Sequence, residues 1–127
     1  MPEHNPTVLI VEDDIDLRNL IVEFLRDDFE PVVAGTADEG VSVARKTHPM
    51  LILCDLNMPG RNGLHTIEEV RNDPDLSNVP IILMSGQEEP VEAAKFRVKF
   101  LPKPFPITTL MEAVAAVLSS RQTVLPA

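Results

Sequence analysis

Four places in this chain carry side chains whose types could do chemistry together: the acidic run Glu12-Asp13-Asp14, then Asp55, Ser85 and Lys103. Carboxylates a few ångströms apart repel by several kcal/mol at intermediate dielectric, so a cluster of them persists only with a cation in its midst. A small set of hard oxygens that leaves positions open suits Mg²⁺ or Mn²⁺, which usually keeps waters and binds a phosphoryl oxygen. A carboxylate can also be a nucleophile and form an acyl phosphate. In-line phosphoryl transfer then needs positioning and charge neutralisation, and a metal, a hydroxyl donor and a lysine around the three equatorial oxygens supply both.

These residues act together only if the elements between them bring them together. Short apolar runs alternate with longer amphipathic segments, the pattern of an α/β fold. Thr7 to Val11 reads as a buried strand, and Ile15 to Arg26 as a helix with Leu17, Leu20, Ile21, Phe24 and Leu25 at helical spacing. Pro31 to Ala34 is a second strand. Thr36 to Glu39 is a capping-box pattern opening a helix with Ala37, Gly40, Val41 and Ala44 on one side. Met50 to Cys54 is a third strand, the loop Leu56 to Gly63 follows, and a helix runs from about Leu64 to Arg71. Val79 to Met84 is a fourth strand, apolar as expected for one covered on both faces. Pro90 sits in the first turn of a short helix to about Arg97, a brief strand spans Val98 to Leu101, and the last helix runs from about Ile107 to Ser120. Arg121 to Ala127 reads as a frayed tail.

Strict alternation gives a doubly wound parallel sheet with helices on both faces and right-handed crossovers. Sites in such sheets form outside the carboxyl ends of the strands. Strand one runs out into Glu12-Asp13-Asp14, strand three ends at Asp55, strand four at Ser85, and the fifth unit at Lys103. Parallel strands side by side bring these termini to one edge.

Composition sets the bounds. The 127 residues fit one domain, and 44% hydrophobic with 24% charged is ordinary for a chain with a real core. Five Phe without Tyr or Trp make that core aliphatic. With 11 Lys+Arg against 20 Asp+Glu, the net charge of −9 and the lack of a basic cluster argue against direct nucleic-acid binding and against anionic membranes. The single cysteine, Cys54, excludes an internal disulfide framework and a Cys-rich zinc site. Met1 to Pro6 lacks the basic start and apolar stretch of a signal peptide, and no apolar run approaches the ~18 to 20 residues of a membrane span. A soluble, cytoplasmic protein is expected.

The motifs Val8-Leu-Ile-Val-Glu-Asp-Asp14, Leu53-Cys-Asp-Leu-Asn-Met-Pro-Gly60 with Gly63, Ile82-Leu-Met-Ser85 and Lys103-Pro-Phe105 stand in order at these strand ends. In them, over about Thr7 to Ser120, the chain resembles a response-regulator receiver domain of two-component signalling, of the stand-alone type. The resemblance implies a flavodoxin-like (βα)5 fold with sheet order 2-1-3-4-5. It implies Asp55 as phosphoacceptor, Asp13 as direct metal ligand, Glu12 holding the metal through water, and Asn57 contributing its backbone carbonyl to the same ion. Ser85 and Lys103 would contact the phosphoryl oxygens. Phe100 corresponds by spacing to the family's switch aromatic, packing inward when Ser85 is drawn to the phosphate. A cis peptide at Lys103-Pro104 also belongs to the pattern.

This chain departs from the family between Ser85 and Lys103, which is about one helical turn shorter than usual, so the fourth helix is expected to be short or distorted. Phe100 has no hydroxyl, which leaves any switch there to packing. Pro102 lacks a strand donor and is tolerable at a sheet edge. Pro106 takes a place that often caps the last helix, and Thr108 is the substitute cap.

Plainer readings exist for several residues. Asp14 and Asp16 read as first-turn charges. Cys54 points away from Asp55 as a small core residue. His4, His48 and His65 show no metal spacing, and Phe24, Phe29, Phe96 and Phe105 read as core or half-buried packing. The resulting expectation is Mg²⁺-dependent transfer of a phosphoryl group from a phosphohistidine, on a histidine kinase or phosphotransfer protein, to Asp55. Autodephosphorylation and phosphorylation-dependent binding of a downstream protein follow, the chain being a monomer or a phosphorylation-dependent dimer. One rival is a non-phosphorylated interaction or dimerisation module. A second is an aspartyl phosphatase, against which stands Asn57 where a second carboxylate is usual.

Overall fold

The computed structural model describes residues 5–123, the side chains of 120–123 excepted. Five strands, β1 (Thr7–Val11), β2 (Glu30–Ala34), β3 (Leu51–Asp55), β4 (Ile81–Ser85) and β5 (Lys99–Pro102), form one parallel sheet in the order β2-β1-β3-β4-β5. Between and after them run α1 (Ile15–Leu25), α2 (Ala37–Thr47), α3 (Gly63–Asn72), α4 (Glu92–Lys95) and α5 (Ile107–Thr123). This is the flavodoxin-like doubly wound order.

Strand alternation divides the core into two layers. Leu9, Val11, Ile52, Cys54, Ile81 and Leu83 face one side, where Ala37 and Ala44 of α2 and Ile67 and Val70 of α3 cover them. Val8, Ile10, Leu51, Leu53, Ile82 and Met84 face the other, under Ile21 and Leu25 of α1 and Leu110 and Val114 of α5. Strands β1, β3 and β4 are therefore apolar on both faces, which explains their unbroken hydrophobic runs. Pro31 and Pro102 sit in the two edge strands, where a missing N–H costs least.

The helices begin where side-chain oxygens can receive their first N–H groups. Asp14 Oδ1 accepts from Asp16 N at 3.0 Å and Leu17 N at 3.2 Å, Thr36 Oγ1 from Glu39 N at 3.1 Å, and Asn62 Oδ1 from Leu64 N at 2.9 Å. Asp14 is thus the N-cap of α1 rather than merely a first-turn charge. Glu39 completes a variant of the capping box by accepting from Gly35 N at 2.8 Å.

Helix α4 is four residues long, as the shortened segment requires. Pro90 lies just ahead of it, its carbonyl accepting from Ala93 N at 3.0 Å, and Arg97 turns the chain toward β5 with φ 59°. The segment is held from outside. From α3, Arg71 donates through Nε to Phe96 O at 2.7 Å, through Nη1 to Val79 O at 2.6 Å and Ser77 O at 3.2 Å, and through Nη2 to Arg97 O at 3.4 Å. Burial, and secondarily the charge of Arg97, disfavours the protonated guanidinium; the four carbonyl dipoles answer that cost.

Three sequence expectations need correction. Leu20 and Phe24 are 45% and 51% exposed, so only part of the apolar stripe of α1 enters the core. Thr108 does not cap α5 but lies within it, and the first free N–H groups of Thr109 and Leu110 turn back to Pro106 O at 2.9 and 3.4 Å. Helix α5 continues to Thr123 instead of fraying from Arg121; residues 124–127 of the expected tail lie outside the described residues.

Candidate functional site

The register lines up the strand ends that carry the chemistry. Val11 pairs with Cys54, Asp55 with Met84 and Ser85 with Pro102, so Glu12, Asp55, Ser85 and Lys103 leave one edge of the sheet side by side. Backbone bonds fix the exits: Glu12 N donates to Ala34 O at 2.9 Å, Leu56 N to Met84 O at 2.8 Å, and Lys103 N to Ser85 O at 2.7 Å.

Carboxylate oxygens of Glu12, Asp13 and Asp55 all lie within 4.8 Å of one another. Glu12 and Asp55 are buried, at 1% and 3% exposed, while Asp13 opens to solvent. Lys103 Nζ stands 3.0 Å from Glu12 Oε1 and 3.1 Å from Asp55 Oδ1. Three acids thus face one ammonium, and the excess negative charge is concentrated on hard oxygens beside a solvent opening. That donor set fits a small divalent cation.

Titration follows from these contacts. Burial raises the Asp55 carboxyl above the ordinary aspartate value, although Lys103 and the backbone N–H of Asn57 pull it down. Burial likewise raises Glu12 against the opposing hydrogen bonds from Lys103 and Asp14 N. For Lys103 burial alone would lower the value, and the two carboxylates more than offset it, holding the ammonium above ordinary lysine. The pocket therefore keeps its one cation charged and makes its two buried acids reluctant anions.

Ser85 is fully buried, and its Oγ accepts from Asn57 Nδ2 at 3.3 Å and from Gln87 N at 3.0 Å. Sequence reasoning placed Ser85 at the site but missed both partners. The Ser85-Gly86-Gln87 stretch did carry a signal for the second, since a serine hydroxyl commonly receives the N–H two residues on. Asn57, expected only through its carbonyl, enters through its side chain as well.

Phe100 lies on β5 opposite Leu83 and is half-buried against the layer that α2 and α3 cover. The peptide Lys103-Pro104 is cis. Cys54 belongs to the core, its thiol pushed far up by burial and then by the charges of Asp55 and Glu12, so it is no nucleophile. Of the histidines, His65 pairs with Asp38 at 3.0 Å and His48 ends α2 in a left-handed conformation; neither is among the clustered acids. His4 lies outside the described residues.

Comparison with known proteins agrees with this geometry. The family model described as "Response regulator receiver domain" matches residues 8–115. The chain is 31% identical over 121 residues to the chemotaxis protein CheY of Halobacterium salinarum, spanning 89% of this chain and 97% of that protein. It is 34% identical over 91 residues to the transcriptional regulatory protein BaeR of Escherichia coli, covering 71% of this chain but only 37% of BaeR. The chemotaxis response regulator CheY4 of Vibrio cholerae has a solved structure that superposes with a TM-score of 0.83 at 27% identity, over 89% of this chain and 98% of that one. With its sheet order, its acidic strand ends and its lysine after β5, the chain belongs to the response regulator receiver domain family.

Proposed function

We propose that this chain is a phosphoacceptor switch in which Asp55 takes a phosphoryl group from a phosphohistidine of a histidine kinase or phosphotransfer protein. One observation carries the reading: the buried Asp55 carboxylate shares a cluster with Glu12 and Asp13 while its Oδ1 is held 3.1 Å from Lys103 Nζ. An Asp55 oxygen attacks phosphorus as the phosphorus–nitrogen bond to the imidazole breaks, and the imidazole leaves and regains a proton from solvent. Glu12, Asp13, Asp55 and the Asn57 carbonyl would hold Mg²⁺ or Mn²⁺, which when bound supplies positive charge for the phosphoryl oxygens. Lys103 is the point charge on those oxygens and Ser85 the hydroxyl donor. Attack of water on phosphorus later returns Asp55 and releases phosphate.

Beside this pocket a cleft runs between Asp14 and Leu17 of α1's start and Lys103, Pro104 and Phe105. Ile15, Leu20 and Phe24 leave apolar surface on the same helix. A phosphohistidine-bearing partner meets the pocket along that side. The acyl phosphate biases a conformational equilibrium through Ser85 and Phe100 and alters the surface offered to a downstream protein. Among the described residues no helix is long and apolar enough to cross a membrane.

The test is incubation with a small phosphodonor and Mg²⁺ followed by intact mass. A base-labile adduct is expected, dependent on the metal. No adduct on the unmodified chain would overturn the reading and favour a non-phosphorylated interaction module.

Lys103→Ala separates two roles of the ammonium. It removes the cation that competes for the carboxylates, so Mg²⁺ affinity rises, while phosphorylation falls because the phosphoryl oxygens lose their point charge. Metal-free stability falls by about 1–3 kcal/mol, since the buried Glu12 and Asp55 lose their partner, and Mg²⁺ restores part of it. Calorimetric metal titration and thermal unfolding read these signs; weaker Mg²⁺ binding in the variant would contradict the assignment.

A further inference from the structure

We propose that the Asn57 side chain is a positioning residue that sets the direction of the Ser85 hydroxyl, so that its proton is the one thing Ser85 can offer to a phosphoryl oxygen on Asp55. The inference rests on the phosphoacceptor reading above and names a component of the same site.

A serine hydroxyl has one proton to donate and two lone pairs with which to accept. At Ser85 both lone pairs are taken, by Asn57 Nδ2 at 3.3 Å and Gln87 N at 3.0 Å. Ser85 itself is fully buried, and the two donors reach its hydroxyl from exposed residues on the solvent side. A hydroxyl that receives two N–H groups cannot turn to accept a third. Its proton is left to an acceptor, and each received bond makes it a better donor.

Asn57 is suited to this task by where it stands in the chain. It lies two residues beyond Asp55, on the loop that leaves the phosphoacceptor strand. Its side chain crosses to β4 and meets Ser85, 28 residues away. The loop that leaves the phosphoacceptor therefore carries the amide that holds the hydroxyl donor, so the two are set relative to each other. At 3.3 Å the bond to Ser85 is slightly longer than the usual N–H donor range.

The experiment is a double-mutant cycle of Asn57→Ala and Ser85→Ala, read as the affinity for beryllium fluoride, a phosphoryl mimic, at saturating Mg²⁺. Ser85→Ala should weaken binding by about ten- to a hundredfold, the loss of one hydrogen bond to a charged group, and Asn57→Ala by about five- to tenfold, the loss of one between neutral groups. The double variant should be no more than about twofold weaker than Ser85→Ala, because Asn57 has nothing left to position. Losses that multiply would overturn the proposal, as would tighter binding by Asn57→Ala, which would mean the amide is turned over and holds the proton back. A second readout needs neither metal nor mimic. In the unliganded protein the Asn57 side-chain amide resonances should shift when Ser85 is replaced by Ala; resonances unmoved by Ser85→Ala would overturn the proposal by themselves. If the unmodified chain fails to bind beryllium fluoride, the phosphoacceptor reading falls too. If it binds and the losses multiply, only the role of Asn57 falls.

Discussion

Asp55→Asn abolishes the labile adduct and leaves a folded protein. The amide has nearly the shape of the carboxylate but no anionic oxygen to attack phosphorus, so adduct formation drops below detection rather than by a modest factor. Folding should tolerate the change. In the unmodified chain Asp55 is a buried acid raised by burial and repelled by Asp13; a neutral group removes that cost, while Lys103 keeps its contact with Glu12 at 3.0 Å. The net change in stability stays within about 1 kcal/mol, and Mg²⁺ affinity falls because one of three clustered acids is gone. Intact mass, thermal unfolding and calorimetric metal titration measure the three effects. A metal-dependent, base-labile adduct of undiminished yield on this variant would place the acceptor elsewhere.

Gly63→Ala should strike the fold itself. A Cβ at this position would lie 2.2 Å from the backbone oxygen of Asp55, 3.0 Å from its carbonyl carbon and 3.0 Å from Cys54 Sγ. None of these can step aside: the oxygen belongs to the end of a central strand, and the sulfur is packed in the core beneath α3. Helix α3 would have to lift from the sheet, dragging with it the Leu56–Gly63 turn that is closed by Gly63 N to Leu56 O at 2.8 Å. Overpacking of this severity costs about 3 kcal/mol or more, and it displaces the backbone of the phosphoacceptor. Denaturant titration measures the first effect and phosphorylation yield the second. A variant within about 1 kcal/mol of the unmodified chain would refute the packing of α3 against Asp55.

Much of this was legible in the residues, for a physical reason. Strands apolar on both faces end abruptly where the chain turns polar, so Val11, Asp55 and Ser85 marked their own termini to within a residue. Parallel pairing then left little choice about which edge they share. The short α4 was foreseeable by counting residues between Ser85 and Lys103. Phe24 and Leu20 were misread because a stripe of apolar residues marks a helix but does not say how wide a face the sheet can cover. The bond from Asn57 to Ser85 depends on the path of a loop, and those of Arg71 end on backbone carbonyls, which every residue possesses and no sequence pattern distinguishes.

The clasp made by Arg71 also decides the order in which the molecule comes apart. A four-residue helix is far below the length that sustains itself in water, so α4 depends on the burial of Ala93, on Phe96 and Val98 packing against the core, and on the clasp at its end. That hold closes a loop of 25 residues, from Arg71 to Phe96, whose ends must find each other after the sheet has formed. The segment from α4 to the turn at Arg97 is accordingly expected to open by a local event that costs a fraction of the global stability. Amide protons there, such as that of Val98 bonded to Ala93 O at 3.0 Å, should exchange long before those of β1 or β3, and faster still once Arg71 is replaced by Ala.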